Sequence, residues 1–547
     1  MMFESIFSEI SAILVIAVGL SIFGLVLRQP LIVAFLLAGV LTGPFGFGII
    51  ESHDNIELLG HIGISILLFV VGLRLDIQLV RTTGPVAIAT GLGQITFTIL
   101  LGFVITLGMD MPLVNSIYVS VTMAFSSTII IVKLLSDKKE IDALHGRIAM
   151  GFLIVQDIVA ILVLIIITAL GGETTGDLNT LWDIVLIAGK GLGFLLGVAL
   201  CMRYILPSLT GKIAGNQELL VLFSVSWAVF LGALGDYLGF SKEVGAFLGG
   251  ISLASTPYRE AIGARLVSLR DFLLLFFFID LGSRLEFSEV VPQLGKAAIL
   301  SMFVLIGNPM IIIIIMGIMG YRRRTGFLAG LSVAQISEFS LILAALGVSL
   351  GHITRDTMAL VTLIGVTTIF ISTYLILNSG TLYEVVSPII RIFERKHPYR
   401  EMEVTGTCDL TDIDLILVGL GTYGSSVAED LIKRKKKILG VDFDPHVLKT
   451  WKSREISVMF GDAGDPEFLD QLPLGCSRWF ISMIRDRKIN LSILRHLKTL
   501  GYEGHLVLSA GKEEDAEAYE QAGAHFVLRP YRHVAEHTAD TIIDTMN

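Results

Sequence analysis

The sequence predicts a polytopic α-helical membrane protein of about 13 transmembrane helices joined to a C-terminal α/β Rossmann-like domain. Three observations predict it: a break in charge density, a succession of apolar runs of bilayer length, and a glycine-rich strand–turn–helix near the C-terminus. Of 547 residues, 53% are hydrophobic and 17% charged, against roughly 25% charged in soluble domains. The mean hydropathy is +0.75. Residues 1–380 hold 20 Lys+Arg and 24 Asp+Glu, whereas the far shorter 381–547 holds 21 and 26. The first part therefore reads as membrane and the second as soluble protein. Their formal net charges, −4 and −5, exclude the strongly basic surface of a nucleic-acid binder. Cys201, Cys408 and Cys476 have neither metal nor redox spacing. The expected division is a membrane domain over 1–380, a linker over 381–411 and a Rossmann-like domain over 412–547.

A bilayer core of about 30 Å needs roughly 20 apolar residues per helix. On that ruler the spans fall near 6–27, 30–50, 57–75, 84–108, 113–135, 146–170, 180–206, 217–238, 242–255, 268–284, 296–319, 325–350 and 356–379. The first opens on Glu4 and Glu9 instead of a basic region, so it is expected to be a retained helix and not a removed signal peptide. Lys and Arg accumulate in cytoplasmic loops. The loops after odd spans collect 15 of them: Arg28; Arg74 and Arg81; Lys133, Lys138, Lys139 and Arg147; Arg203 and Lys212; Arg259, Arg265 and Arg270; and Arg322, Arg323 and Arg324. The opposite loops collect four, Lys242, Arg284, Lys296 and Arg355, beside acidic Glu51, Asp54 and Glu57. The N-terminus is thus expected outside and the charged C-terminal part in the cytoplasm.

Ionisable residues at mid-span usually mark a pathway or proton relay. Three occur: Asp157 in span 6, Lys190 in span 7 and Glu338 in span 12. Around Asp157 the helical neighbours Leu153, Ile154, Ala160 and Ile161 are apolar, so its own helix offers no neutralising partner. It must protonate, bind a cation or pair across helices. Lys190 lies between small residues and has a simpler account as a snorkelling or packing lysine. Span 5 carries Ser126-Ser127-Thr128 and span 12 carries Gln335-Ile336-Ser337-Glu338. Short polar side chains of this kind satisfy the backbone of unwound helices, where transporters place their ion sites. The two spans are antiparallel in the orientation above, as an inverted repeat requires.

Six segments taken together resemble the Kef-type monovalent cation/proton antiporters: QPLIVAFLLAGVLTGPFG (29–46), the LLFVVGLRLD run ending at Asp76, FSSTIIIVKLL (125–135), VQDIVAILVL (155–164), GAFLGGISLAST (245–256) and AQISEFSLIL (334–343). The resemblance implies an inverted repeat with crossed, broken helices, here spans 5 and 12, and a homodimer in the bilayer. It carries the essential carboxylate onto Asp157, with Gln156 before it and Ser127 and Thr128 near the ion; Glu338, Ser337, Gln335 and Asn308 are possible supporting groups. Many relatives have a basic residue where this chain has Asn308, so Asp157 is expected to lack a cationic competitor. The implied activity is exchange of potassium or sodium for protons, not enzymatic catalysis.

After Pro388 and Pro398, DIDLILVGLGTYGSSVAEDLI supplies an apolar strand, the turn Gly419-Leu420-Gly421-Thr422-Tyr423-Gly424 and a helix. The next strand ends on Asp442, 18 positions after Gly424, close to the spacing at which an acid binds a ribose. Four more strand-like runs, ISVMFGDAG, RWFISMI, HLVLSA and HFVLRP, make six in one doubly wound domain. This part resembles the domain that regulates potassium conductance and transport, which adds Asp462 to the nucleotide-binding residues. The ligand is expected to be an adenine nucleotide such as NAD(H) or AMP, held as a regulator, and Asp442 argues against a 2′-phosphate. Two rival readings fit parts of the sequence. A potassium channel would carry the same regulatory domain but needs a TVGYG-like filter, which is missing. A membrane-anchored oxidoreductase would need a substrate domain beyond the dinucleotide fold.

Overall fold

The computed structural model describes residues 6–546 apart from 45, 51, 74–76, 139, 142, 172–180, 214, 239–241, 286, 396–403, 406–412, 453–456 and 471. Arg74, Asp76, Lys139, Glu51 and Cys408 lie outside the described residues. The chain forms two compact units: residues 1–141, 148–312 and 328–382 in the first, and Asp142–Arg147, Ile313–Phe327 and Tyr383–Asn547 in the second.

The helical part runs α1 (Ile6–Val26), α2 (Leu31–Thr42), α3 (His53–Leu73), α4 (Ile77–Gly108), α5 (Leu113–Thr122), α6 (Thr128–Asp137), α7 (Leu144–Gly171), α8 (Leu181–Leu200), α9 (Leu206–Ile213), α10 (Gln217–Tyr237), α11 (Lys242–Ala254), α12 (Arg259–Ser283), α13 (Phe287–Met302), α14 (Asn308–Ile318), α15 (Arg323–Leu331), α16 (Glu338–Ser349), α17 (Arg355–Leu377) and α18 (Ser379–Ile390). Among the described residues, eight helical stretches are long and apolar enough to cross a membrane. Shorter apolar helices include α2, α5 and α16. Each expected span finds a helix or a pair of helices. Spans 5 and 12 are the broken ones, as α5–α6 and α15–α16. Span 10 starts earlier than expected, at Arg259, because hydropathy reads only the apolar part of a helix whose first turns carry Arg265, Arg270 and Asp271.

Local sequence accounts for the ends and kinks. Pro30 and Pro112 stand immediately before α2 and α5, where a missing N–H costs no helical bond. Asn216 opens α10 by accepting the N–H groups of Glu218 and Leu219 at 3.0 and 3.1 Å. Two π turns, Cys201–Ile205 and Phe303–Gly307, each end two residues before a proline, Pro207 and Pro309. A proline cannot return the i→i−4 bond, and the wider turn absorbs the defect. At the α2–α12 crossing, Gly39 and Gly282 replace side chains by backbone contact: a β-carbon on either would lie within 2.2–2.3 Å of a carbonyl on the other helix.

One hydrophobic core surrounds both helix breaks and includes Met123, Phe125, Ile161, Ile336 and Phe339. Another joins α1, α3, α10 and α12 through Ile13, Phe69, Leu220 and Phe276. The outward side of α1 shows Phe7, Val15 and Val26 at 83%, 72% and 76% exposure, a surface suited to lipid and not to water.

In the second unit a seven-stranded sheet is formed by β1 (Val404–Thr405), β2 (Leu415–Val418), β3 (Ile438–Asp442), β4 (Ser457–Phe460), β5 (Trp479–Ser482), β6 (His505–Ser509) and β7 (Phe526–Leu528), in the order β1-β4-β3-β2-β5-β6-β7. The helices are α19 (Thr422–Lys433), α20 (Pro445–Lys452), α21 (Pro466–Leu469), α22 (Arg487–Thr499), α23 (Glu513–Gln521) and α24 (Pro530–Met546). The six expected strands are all present and parallel, in the doubly wound order of a dinucleotide fold. A seventh, β1, pairs antiparallel with β4 and comes from the segment read as linker; two residues are too short to register as a strand by periodicity.

Candidate functional site

Breaking a helix orphans backbone groups on both sides of the gap, and the first unit spends its buried polar side chains on them. In the first break Ser127 caps α6, accepting the Ile130 N–H at 3.3 Å. In the second, Ser337 caps α16 by accepting the Phe339 N–H at 3.1 Å, and Ser340 returns the favour to the Ser337 N–H at 3.3 Å. Ser340 also donates to the Thr122 carbonyl at 2.6 Å, tying the second break to the first. From α17, Thr368 accepts the Ile336 N–H at 3.3 Å and Ser372 donates to Gln335 Oε1 at 2.8 Å.

Asn308, fully buried, is the hub. Its Nδ2 donates to the carbonyls of Met123 at 3.0 Å and Val333 at 3.5 Å, one in each break, and its Oδ1 accepts from Thr98 at 2.7 Å. Thr98 accepts from Gln94 at 3.0 Å, and Gln94 Oε1 in turn accepts from Gln156. Gln156 Oε1 closes the chain by accepting the Ser126 N–H at 3.3 Å. Beside this network stands Asp157, which accepts from Thr128 Oγ1 at 3.0 Å. Among the described residues no ion pair joins Asp157 to a Lys or Arg. Glu338, at 2% exposure, begins α16 and accepts from Ser337 at 3.4 Å. Two buried polar atoms here make no hydrogen bond among the described residues: Ser126 Oγ and Gln335 Nε2. An orphaned hydroxyl in a helix break suits an alkali cation, which seeks oxygen ligands.

The sequence-derived residues Asp157, Gln156, Ser127, Thr128, Gln335, Ser337, Glu338 and Asn308 thus all lie in or beside the two breaks. Lys190 does not join them; it is exposed on α8. Sequence reasoning missed Gln94, Thr98, Thr368 and Ser372. Their one signal was an i, i+4 polar spacing in α4 and again in α17, and other hydroxyl residues on the same helices, such as Thr90, Thr96, Thr362 and Thr373, mask it.

At the carboxyl end of β2, Gly419 adopts φ +86°, a left-handed turn, and a β-carbon on Gly424 would lie 1.9 Å from its carbonyl. A β-carbon on Gly421 would meet nothing within 4 Å, and no side chain caps α19 there. The first amides of α19 therefore face open space, with the helix dipole favouring an anion. Thr422 and Tyr423 form its first turn. Asp442 Oδ2 accepts the Leu420 N–H at 2.7 Å and Oδ1 the Asp444 N–H at 2.8 Å. Burial pushes its carboxyl above the usual Asp value. Asp462 Oδ1 accepts the Gly464 N–H at 2.8 Å. A cavity of about 180 Å³ lies by the carboxyl ends of β5 and β6, bounded by Tyr423, Met483, Ser509 and, from α24, Tyr531. This donor set fits a nucleotide: open amides for phosphate and a carboxylate for ribose.

Interrupted apolar helices whose breaks meet beside carboxylates with no basic partner among the described residues define a secondary ion transporter, here joined to a dinucleotide-type domain. Residues 10–377, about two thirds of the chain, match the family described as sodium/hydrogen exchanger, transmembrane, and the chain belongs to that family. Residues 415–530 match the TrkA-N domain. The chain is 26% identical to a putative K(+) efflux antiporter, KefB, of Alkalimonas amylolytica, over 94% of this chain and 78% of that protein. It is 24% identical to the putative cation/proton antiporter YbaL of Escherichia coli (strain K12), over 95% and 94%. It is also 28% identical to the iron transporter MagA of Paramagnetospirillum magneticum, over 67% and 84%. Among solved structures, the sodium proton antiporter MjNhaP1 of Methanocaldococcus jannaschii is similar over 71% of this chain and 98% of its own, at 16% identity and a TM-score of 0.45.

Proposed function

We propose that this protein exchanges potassium for protons across a bacterial cytoplasmic membrane, under the control of an adenine nucleotide bound to its C-terminal domain. The observation that carries the exchange is Asp157: one carboxylate beside two helix breaks, held by Thr128 and without a basic partner among the described residues. Such a group holds a proton or a partly dehydrated alkali cation, but not both. Mutual exclusion, with the site facing each side in turn, produces antiport. Potassium is favoured over sodium by the relatives named K(+) efflux antiporters. The charge distribution of the loops supports an outside N-terminus and a cytoplasmic C-terminal domain, and the break in charge density along the chain supports the division into 1–380, 381–411 and 412–547. The family resemblance supports a homodimer.

One carboxylate carrying one charge in either loaded state makes the cycle electroneutral. Membrane potential, at about 2.3 kcal/mol per charge per 100 mV, then leaves the exchange equilibrium unmoved. Proteoliposomes holding a proton-sensitive dye, challenged separately with potassium and sodium at clamped voltage and with or without AMP and NADH, test the whole reading. The expected result is potassium-driven proton movement insensitive to voltage. A clear voltage dependence would show a second moving charge, and single-channel currents would replace the antiporter with a channel.

For the nucleotide, Gly419 and Gly424 make the tight turn and Gly421 leaves the backbone open to a phosphate, while Asp442 and Asp462 are the acceptors for ribose or base. When bound, the ligand supplies an anion and a diol, and no chemistry is asked of it. Only ionised Asp442 accepts two hydroxyl donors, so affinity for AMP falls as acid protonates it, and burial moves that loss to higher pH than for an exposed Asp. Calorimetric titration between neutral and acidic pH should show this fall in wild type and not in Asp442→Asn, whose affinity at neutral pH is about tenfold or more weaker, the cost of a hydrogen bond to a charged group. Binding that ignored both pH and the substitution would remove Asp442 from the site.

A further inference from the structure

The second unit contains more than the sheet and its helices: it also takes in the segments Asp142–Arg147 and Ile313–Phe327. Those segments place arginines on the two turns assigned above to the nucleotide. Arg147 Nη1 lies 3.0 Å from Asp444 Oδ2, and its guanidinium stands 5.8 Å from the centre of the Phe443 ring. Phe443 and Asp444 directly follow Asp442, and the Asp444 N–H is one of the two groups that the Asp442 carboxylate holds. The other turn is gripped in the same manner. Arg324 Nη1 donates to the Gly464 carbonyl at 2.9 Å, where the Gly464 N–H is held by Asp462. Arg322, only 2% exposed, stands 3.8 Å from Asp465 and 5.7 Å from the centre of the Phe468 ring.

Each arginine begins a helix that carries a mid-span acid or leads to one. Arg147 is in the first turn of α7, and Asp157 lies ten residues further along the same unbroken helix, about 15 Å at 1.5 Å per residue. Arg322 and Arg324 flank the start of α15, which ends at the second break, immediately before Glu338. A cation in the first turn opposes the helix dipole, so helix stability does not place these residues. The preference for basic loops on the cytoplasmic side explains a positive charge at these ends, but it leaves the side chain free in water. It does not explain a guanidinium buried to 2% exposure or aimed at the residue that Asp442 holds.

We propose that Arg147, assisted by Arg322 and Arg324, is a positioning residue that couples nucleotide occupancy at Asp442 and Asp462 to the helices bearing Asp157 and Glu338. This rests on the reading that the glycine turn and Asp442 bind an adenine nucleotide. The Asp442 carboxylate divides its lone pairs between the Leu420 and Asp444 N–H groups. Once it also accepts ribose hydroxyls, its hold on the Asp444 N–H weakens, and the turn presenting Asp444 and Phe443 to Arg147 shifts. The pull on the first turn of α7 then differs between the two states.

The test uses full-length protein, with AMP and NADH as probes, and measures affinity by calorimetry, exchange in proteoliposomes and hydrogen exchange of the amides at 144–150. In wild type, nucleotide should change the exchange rate about fivefold or more, the usual span of allosteric coupling, and alter amide exchange at 144–150. Arg147→Ala should bind the same nucleotide with affinity within about threefold of wild type yet lose most of both responses. Arg147→Lys, which keeps the charge but not the planar stacking, should restore part of them. The pair Arg147→Asp with Asp444→Arg should restore them further. If Arg147→Ala does not fold, Asp444→Asn reads the link from its other end and should also lose the response. A variant Arg147→Ala that responds like wild type overturns the proposal. Nucleotide that binds wild type without affecting transport overturns the coupling and leaves the binding site standing. Absence of AMP and NADH binding to wild type overturns both, and the binding measurement reveals that before any variant is compared.

Discussion

Asp157→Asn eliminates exchange of either cation for protons and leaves the protein folded. An amide is nearly the shape of a carboxylate, and its oxygen can still accept from Thr128 Oγ1, now 3.0 Å from Asp157 Oδ2. It neither titrates nor carries the charge that holds an alkali ion. The exchange rate should fall by two orders of magnitude or more, about the size of effect that loss of a proton-transferring group has in enzymes. Thermal stability in detergent should equal or exceed that of wild type, because a neutral amide is cheaper to bury than a carboxylate. Asp157→Glu separates charge from position: it keeps a titratable group but moves it by a methylene relative to Thr128, so exchange should be slowed, not abolished. Dye-based proton flux and a thermal unfolding curve on the same preparations check both statements. Normal exchange by Asp157→Asn would move the carrier elsewhere, with Glu338 the next buried acid to examine.

The sequence made Asp157 legible for a physical reason. An acid with only apolar neighbours on its own helix has no local explanation, and that scarcity was visible without any structure. The same holds for the polar clusters of spans 5 and 12, which are conspicuous against apolar surroundings, and for the glycine turn with Asp442, whose geometry is local. What stayed hidden is nonlocal. Gln94 and Thr98 look like ordinary members of span 4, since a threonine in a membrane helix commonly bonds its own preceding turn, as Thr90 does with Val86. Only folding shows that Thr98 instead reaches Asn308, 210 positions away. Ser127, expected near the ion, also caps α6 by accepting the Ile130 N–H, and its hydroxyl oxygen keeps a second lone pair. The inclusion of 142–147 and 313–327 with the second unit could not be foreseen, because charge near a helix end follows from membrane orientation alone.

Asn308→Ala should be the most damaging neutral substitution near the site. Asn308 is an amide whose groups are all engaged: its nitrogen serves a carbonyl in each broken helix, and its oxygen serves Thr98. The carbonyls belong to Met123 and Val333, beside the C-terminal ends of α5 and α15, where the half-helix dipoles are negative. Removing the amide orphans buried acceptors at about 1–3 kcal/mol apiece, so a loss of several kcal/mol, read as a lower unfolding midpoint, is expected. Exchange should fall with it, because the two breaks lose their common tie and the oxygens around Asp157 lose their fixed geometry. Asn308→Asp tests whether hydrogen-bond donation or shape matters: a carboxylate is isosteric but cannot donate to Met123 or Val333, so it should be at least as destabilised as Asn308→Ala. Thr98→Val in combination with Asn308→Ala should cost less than the sum of the two alone, since both remove the same bond and contacting residues couple. Strict additivity, or an Asn308→Ala protein with wild-type midpoint and exchange, would mean that the breaks are held by their own caps and that Asn308 only fills space between them.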